Sequence, residues 1–310
     1  MRGSFIETLC DLAQSDERIW LLTGDLGFSV LEPFAGRFGE RFVNAGVAEQ
    51  NMTGVAAGLA HSGKIVFTYS IANFPTLRCL EQIRNDVCYH KLNVNIVAVG
   101  GGLAYGSQGY THHGIEDLAI MRNLPYMTVI APADRHETKA AVRLMVEKDG
   151  PCYLRIGKSK EPDVHNGEPN ILFGKAIPMR EGRDALIIAT GVVLDQGIRA
   201  ADLCRAEGVE VAVWSCPFVA PMDEEAVARA APKYKVIMTV EEARPTGGLG
   251  GAVAEIISQL PGDRAQVLRV GICDDVIHNI GDRDYLRDRC GLSAEKLKQT
   301  VIDALGKMTG

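Results

Sequence analysis

Asn44-Ala45-Gly46-Val47-Ala48-Glu49-Gln50-Asn51-Met52 is the stretch on which the reading of this chain turns. It joins a short apolar strand, Phe42-Val43, through a glycine-containing turn to a helix of small residues running from Met52 to Ser62. From Met52 the apolar positions fall at Val55, Ala56, Leu59 and Ala60, which is helical spacing. Gly54, Ala57 and Gly58 occupy the other faces. Each glycine inside a helix costs roughly 1 kcal/mol relative to alanine. A helix this rich in small residues is expected where other backbone packs very close. Glu49 stands at its entrance, where the helix dipole favours an anion. Taken alone, it reads as a helix-starting residue that steadies the first turn.

Working outward, strand-like runs recur at 18–23, 42–44, 65–69, 94–99, 127–130 and 152–154. Helical patterns alternate with them at 4–15, 49–62, 74–88, 115–122 and 135–148. Alternating β and α units predict a parallel sheet with helices on both faces. Ligands on such sheets bind at the C-terminal ends of the strands. The stretches 44–49, 70–78 and 100–114 each follow a strand, so they gather on one edge. Thr23-Gly24-Asp25-Leu26-Gly27 reads as a strand-to-loop turn, because it lacks both phosphate-loop signatures. Residues 157–172 are polar and rich in turn formers and read as a linker. A second series has strands at 185–190, 209–213, 235–240 and 266–270, with helices near 195–207, 223–231, 250–259 and 293–305. The expected fold class is α/β, with two doubly wound, mostly parallel sheets in domains 1–156 and 173–310.

Composition narrows the function classes. The 310 residues suffice for two domains with substantial cores, and 46% hydrophobic against 23% charged residues is ordinary for a globular protein. A net charge of −6, with only short and mixed Lys/Arg clusters, argues against sequence-independent nucleic-acid binding. The eight cysteines form no C-x-x-C pair and no zinc-ligand spacing, and they read as reduced thiols. The N-terminus has no apolar h-region and no stretch is long enough to span a bilayer, so a cytoplasmic protein is expected.

Gly46-Val47-Ala48-Glu49-Gln50 resembles the segment carrying the catalytic Glu in the pyrimidine-binding domain of transketolases. Further matches follow in the same order and at similar spacing: Phe74-Pro75-Thr76-Leu77-Arg78, Glu81-Gln82-Ile83-Arg84-Asn85, and Gly109-Tyr110-Thr111-His112-His113-Gly114-Ile115-Glu116-Asp117. Ala131-Pro132-Ala133-Asp134, Val240-Glu241-Glu242 and Gly247-Gly248-Leu249-Gly250 extend the likeness over nearly the whole chain. Each motif is weak alone; the ordered set is strong. The chain resembles the C-terminal subunit of a split transketolase: a thiamine-diphosphate pyrimidine-binding fold followed by the transketolase C-terminal fold.

The resemblance implies thiamine-diphosphate-dependent transfer of a two-carbon ketol unit between a ketose and an aldose. It assigns Glu49 to the carboxyl that bonds the N1′ nitrogen of the cofactor's aminopyrimidine, a hydrogen bond that needs shielding from water. Phe74 matches the aromatic that stacks on the pyrimidine. Ile71 stands where the family usually has another aromatic, which alters that wall. Arg78 lies in an apolar run and must be paired or sit at a site. His112 matches the His that faces the reacting carbon and substrate hydroxyls, a role suited to a group that titrates near neutrality. His113 is its neighbour, and either could face the substrate. Arg155 matches a phosphate-contacting Arg.

Two departures weaken any claim to the standard pentose phosphates. Gln108 replaces a sugar-recognising Asp, and Gly100 replaces a His that helps hold the acceptor phosphate. A specialised, unphosphorylated or nucleotide-linked sugar stays open. The Gly-Asp-Gly motif that carries diphosphate and Mg²⁺ in the family is missing, so no metal ligand is assigned to this chain. Those ligands are expected on a separate N-terminal subunit, in an α2β2 assembly with a β–β contact. Two other readings stay open. One is the β subunit of a 2-oxoacid dehydrogenase decarboxylating component; the other is a regulatory or assembly subunit without catalysis.

Overall fold

The computed structural model describes residues 1–159, 161–274 and 278–307. Lys160 in the expected linker, and 275–277 and 308–310 in the expected second domain, lie outside the described residues. The chain opens with α1 (Arg2–Ser15), whose Phe5, Ile6, Leu9, Cys10 and Ala13 are buried against the first sheet. Then come β1 (Ile19–Thr23), α2 (Glu32–Arg37), β2 (Phe42–Asn44), α3 (Glu49–His61) and β3 (Ile65–Ile71). The single turn α4 (Leu80–Gln82) is followed by β4 (Val94–Val99), α5 (Asp117–Arg122), β5 (Thr128–Ile130), α6 (Arg135–Glu147) and β6 (Cys152–Ile156). The second half has β7 (Ile177–Arg180), β8 (Ala185–Thr190), α7 (Leu194–Ala206), β9 (Val211–Ser215), β10 (Phe218–Ala220) and α8 (Glu224–Ala230). It ends with β11 (Val236–Glu241), α9 (Leu249–Ser258), β12 (Gln266–Val270), α10 (Arg283–Arg289) and α11 (Ala294–Lys307). Among the described residues no helix is long and apolar enough to cross a membrane. All eight cysteines are described and free.

Two mostly parallel sheets result, as the alternation of elements requires. The first has seven strands in the order β10-β5-β6-β4-β3-β1-β2, and the second has five in the order β12-β11-β8-β9-β7. β4 and β6 are buried along their whole length, as interior strands of a parallel sheet are, although each carries a polar residue, Asn95 and Arg155. The antiparallel members are the edge strands β10 and β7. β10 comes from the second half of the chain yet pairs with β5 of the first sheet, so the two halves share hydrogen bonds as well as side-chain contacts. No helix or strand is described between β6 and β7. That segment is nevertheless fastened: the Val164 and His165 N–H groups donate to Asp134 Oδ2 at 3.0 and 2.9 Å.

The helix expected at 74–88 takes another form. A 3₁₀ turn (Leu77–Cys79), α4 and a π-helical segment (Ile83–Cys88) replace it. Pro75 cannot donate a backbone hydrogen bond, and the Thr76 hydroxyl donates to the Ala72 and Asn73 carbonyls at 2.7 and 3.2 Å, so a tight turn wins before the helical register can start. Stretches of π-helix are frequent near functional sites.

Candidate active site

Loops following β1, β2, β3 and β4 meet at one edge of the first sheet. β2 ends at Asn44, whose side chain organises the turn that follows. Asn44 Oδ1 accepts the N–H groups of Asp25 and Gly46, both at 3.0 Å, while its amide donates to Asp25 Oδ1 at 2.9 Å. Gly46 at φ +71° turns the chain into α3. Glu49 is thereby the first residue of α3 and is 2% exposed. Gly24 packs flat against it: a methyl group there would stand 3.4 Å from Glu49 Cγ. A Cβ added at the α3 glycines Gly54 and Gly58 would meet nothing within 4 Å beyond the helix itself, so the close neighbour expected for a small-residue helix is not supplied by this chain's described residues.

Arg78 reaches Glu49 from the loop after β3. Its Nη1 donates to Glu49 Oε2 at 2.8 Å, and its guanidinium lies 4.7 Å from the centre of the Phe74 ring. The buried carboxylate therefore has a cation on one side. Arg78 itself is 47% exposed, which leaves the arrangement open to solvent. Asn73 Nδ2 donates to the Thr111 carbonyl at 3.2 Å and so ties the β3 loop to the β4 loop. Across that tie the Phe74 and His112 rings meet edge to face, with centres 5.5 Å apart. His112 is half-buried, and its Nδ1 lies 3.0 Å from the Thr111 hydroxyl. Glu49, Arg78, Phe74 and His112 thus form one contiguous cluster.

The other expected site residues lie differently. His113 is 1% exposed, and its Nε2 has no hydrogen-bond partner among the described residues. Burial lowers its pKa, against the pull of a hydrogen bond to the Gly106 backbone, so it is a neutral ring packed beneath the loop. Ile71 ends β3 in register with Val99, and Gln108 is exposed at the end of a 3₁₀ turn, Gly106–Gln108. Arg155 stands apart from the cluster. It is 6% exposed, its Nη2 donates to the Gly114 and Glu242 carbonyls, and its Nε lies 3.0 Å from Asp117 Oδ2. Gly101 permits this, because a Cβ there would collide with the Arg155 side chain. Tyr153 donates to the same Asp117 oxygen at 2.6 Å. Burial raises the Asp117 pKa against the pull of Arg155. The Arg155 guanidinium acts as a strut between the β4 loop and the second half of the chain, and all these partners belong to the protein itself.

Sequence reasoning gave no site role to Gly24, Asn44 or Tyr105. The Tyr105 ring lies 6.0 Å from His112, packed over Gly100. The available signal was the triple glycine Gly100-Gly101-Gly102 directly after a strand, a sign that bulky groups crowd the backbone there. An aromatic face beside a buried carboxylate suits a flat, basic heterocycle such as an aminopyrimidine. Among the described residues no group of three or more His, Cys, Asp or Glu side chains is placed to hold a metal ion.

Comparison with known proteins defines the class. Residues 1–162 match the transketolase pyrimidine-binding domain and residues 174–297 the transketolase C-terminal domain. The chain belongs to the transketolase family. Its likeness extends to proteins that are separate subunits within that family. It is 38% identical to a subunit of the apulose-4-phosphate transketolase of Phocaeicola vulgatus, covering 99% of this chain and 97% of that one. It is 37% identical to the 6-deoxy-6-sulfo-D-fructose transketolase subunit SqwH of Clostridium sp. strain MSTE9, covering 96% and 92%. A solved structure described as a split gene transketolase, inactive beta4 tetramer, superposes with a TM-score of 0.90 at 38% identity, covering 98% of each chain.

Proposed function

We infer that this chain is the pyrimidine-domain subunit of a two-chain transketolase, moving a two-carbon ketol unit from a ketose to an aldose. The observation that carries this reading is the buried Glu49 at the head of α3, joined through Arg78 and Phe74 to His112. Thiamine diphosphate, when bound, supplies the carbon nucleophile. Glu49, itself buried, would hold the hydrogen bond at the pyrimidine nitrogen, and a partner chain closing the open Arg78 side would keep water from weakening it. Phe74 would present its face to the pyrimidine ring, and Arg78 would orient the Glu49 carboxylate. His112 would exchange protons with substrate oxygens. Arg155 would set the spacing between the β4 loop and the second half rather than touch substrate.

Diphosphate and Mg²⁺ would be held by a separate N-terminal chain, in an α2β2 assembly. Val47, Val55 and Leu77 flank the cluster at 75%, 39% and 44% exposure, apolar surface that a partner chain would cover. Reconstitution tests the reading. This chain alone should neither transfer ketol units nor bind thiamine diphosphate tightly in the presence of Mg²⁺, and adding the N-terminal chain should restore both. Tight, Mg²⁺-dependent binding of the cofactor to this chain alone would refute the division of labour.

A further inference from the structure

We propose that the polar cavity between α7, α10 and α11, in the second half of the chain, binds a free α-amino acid. The site is separate from the Glu49–His112 cluster and does not depend on the function inferred above.

The cavity measures about 330 Å³, within the usual range for small-ligand sites. Three guanidiniums, of Arg199, Arg283 and Arg287, and three carboxylates, of Asp195, Asp284 and Glu295, line it. Elsewhere on α11 opposite charges close on one another: Lys298 meets Glu207 at 2.6 Å and Lys296 meets Asp288 at 3.0 Å. Around the cavity they stop short. Arg287 Nη1 stands 3.7 Å from both Asp195 Oδ1 and Asp284 Oδ1, and Arg199 Nη2 stands 3.8 Å from Glu295 Oε1. Arg283 Nη1 likewise stands 3.7 Å from Glu161 Oε1. Such separations keep the charges within range of each other but are too long for hydrogen bonds.

Two of these groups cannot turn to bulk water instead. Arg287 is 2% exposed; its Nε goes to Glu242 Oε1 and its Nη2 donates to the Val192 carbonyl at 3.2 Å. Asp195 Oδ2 accepts from Gln196 Nε2 at 2.8 Å, and Gln196 is fixed in turn because its Oε1 accepts the Ala294 N–H at 3.0 Å. Asp195 Oδ1 is buried and has no hydrogen-bond partner among the described residues. A buried donor group and a buried acceptor are thus held apart, each short of a partner, which costs stability until something bridges them.

The lining sets the charge of the bridging molecule. Three cations and three anions cancel, so a simple anion would leave the carboxylates facing it and a simple cation would leave the guanidiniums facing it. A zwitterion meets both. In an α-amino acid the carboxylate and the ammonium flank one carbon, which suits a donor and an acceptor 3.7 Å apart. The orientation follows from the helices. α7 and α11 both begin at the cavity, and the Ser293 hydroxyl donates to Asp288 Oδ1 at 2.8 Å instead of capping α11. Their dipoles add positive potential to that of Arg199 and Arg287, which places the carboxylate there and the ammonium beside Asp195 and Asp284. On its inner side the cavity ends at the buried Arg287–Glu242 pair, and Glu242 Oε2 accepts the Leu103 N–H at 3.3 Å, so that pair stands between the cavity and the loop after β4.

The test is titration calorimetry on the full chain, with glycine, L-alanine and L-glutamate as probes and acetate and ethylammonium, which carry one charge each, as controls. At least one amino acid should bind tenfold or more tightly than either control. Asp195→Asn, which keeps the size and the Gln196 contact, and Arg199→Met should each weaken that binding at least tenfold, while Lys233→Met, a distant charge change, should retain it. The Arg199 side chain is 61% exposed, so its replacement leaves the fold intact and decides the matter even if Asp195→Asn unfolds early in a melting control. No binding of any of the three amino acids, acetate or ethylammonium binding as tightly as they do, or affinity unchanged in Arg199→Met would each overturn the proposal. Binding needs neither turnover nor a partner chain, so failure of the ketol-transfer reading would leave this result standing, and the reverse holds equally.

Discussion

Glu49→Gln separates a catalytic carboxylate from a structural one. Gln is nearly the same size and keeps the same Cγ, so its fit against Gly24, where an added Cβ would stand 3.4 Å from Glu49 Cγ, is unchanged. The amide oxygen can still accept from Arg78 Nη1, so what is lost is the charge of a pair at 2.8 Å. At an effective dielectric of 20 the gross attraction at that distance is about 6 kcal/mol. Arg78 is 47% exposed and water competes for it, so the net loss should fall towards the exposed-pair value of about 1 kcal/mol. For a chain of this size that lowers the melting temperature by no more than about 3 °C. Removing a positioned acid–base group typically costs about 10²–10⁴-fold in rate, or about 3–5 kcal/mol of barrier. The kinetic effect should therefore far exceed the effect on folding. The assay is ketol transfer by the reconstituted pair, with proton–deuterium exchange at C2 of the bound cofactor as a second readout and thermal melting as control. A well-folded variant that transfers and exchanges at the wild-type rate would refute the reasoning, leaving Glu49 a helix-starting residue.

His112→Ala should lower ketol transfer by at least about tenfold and leave cofactor affinity nearly unchanged, since its ring meets Phe74 only by an edge and its proposed contacts are to substrate; loss of cofactor affinity with turnover retained would contradict this, and calorimetry beside steady-state kinetics reads both. His165 gives a pH-dependent prediction. Burial works against its charge, but the hydrogen bond to Glu137 at 2.8 Å and the Glu137 and Asp134 charges outweigh it, so its pKa is raised. A raised folded-state pKa means that the contribution is fully present below the ordinary histidine value of about 6.5 and is lost as the pH rises through the folded value. His165→Gln should then destabilise the chain by about 1–2 kcal/mol at mildly acidic pH and by less in alkaline buffer, as melting curves across that range would show.

Much of the fold was legible because it is written in local pattern. Continuous apolar runs of strand length, alternating with amphipathic helices, announce a parallel sheet, and the loops that follow those strands must share an edge. Pattern alone thus puts the 44–49, 70–78 and 100–114 stretches together. Glu49 at the helix entrance and Phe74 and His112 in neighbouring loops could be named as candidates from motif order. Sequence periodicity carries no information about non-local pairing, and there tertiary structure decided. The three-residue strand Phe218–Ala220 is too short to read, and its partner β5 lies far back in the chain. The turn at 74–79 depends on Thr76 finding two carbonyls, a competition that helix propensity does not register. Arg155 could be matched to a motif, yet which way its guanidinium points was settled by the buried Asp117 and the Glu242 carbonyl, one of them supplied by the second half of the chain. Tyr105 had no signature of its own. Its place beside His112 exists because Gly100 leaves room for the ring and because the loop after β4 folds back over it, a juxtaposition fixed by packing and not by local pattern.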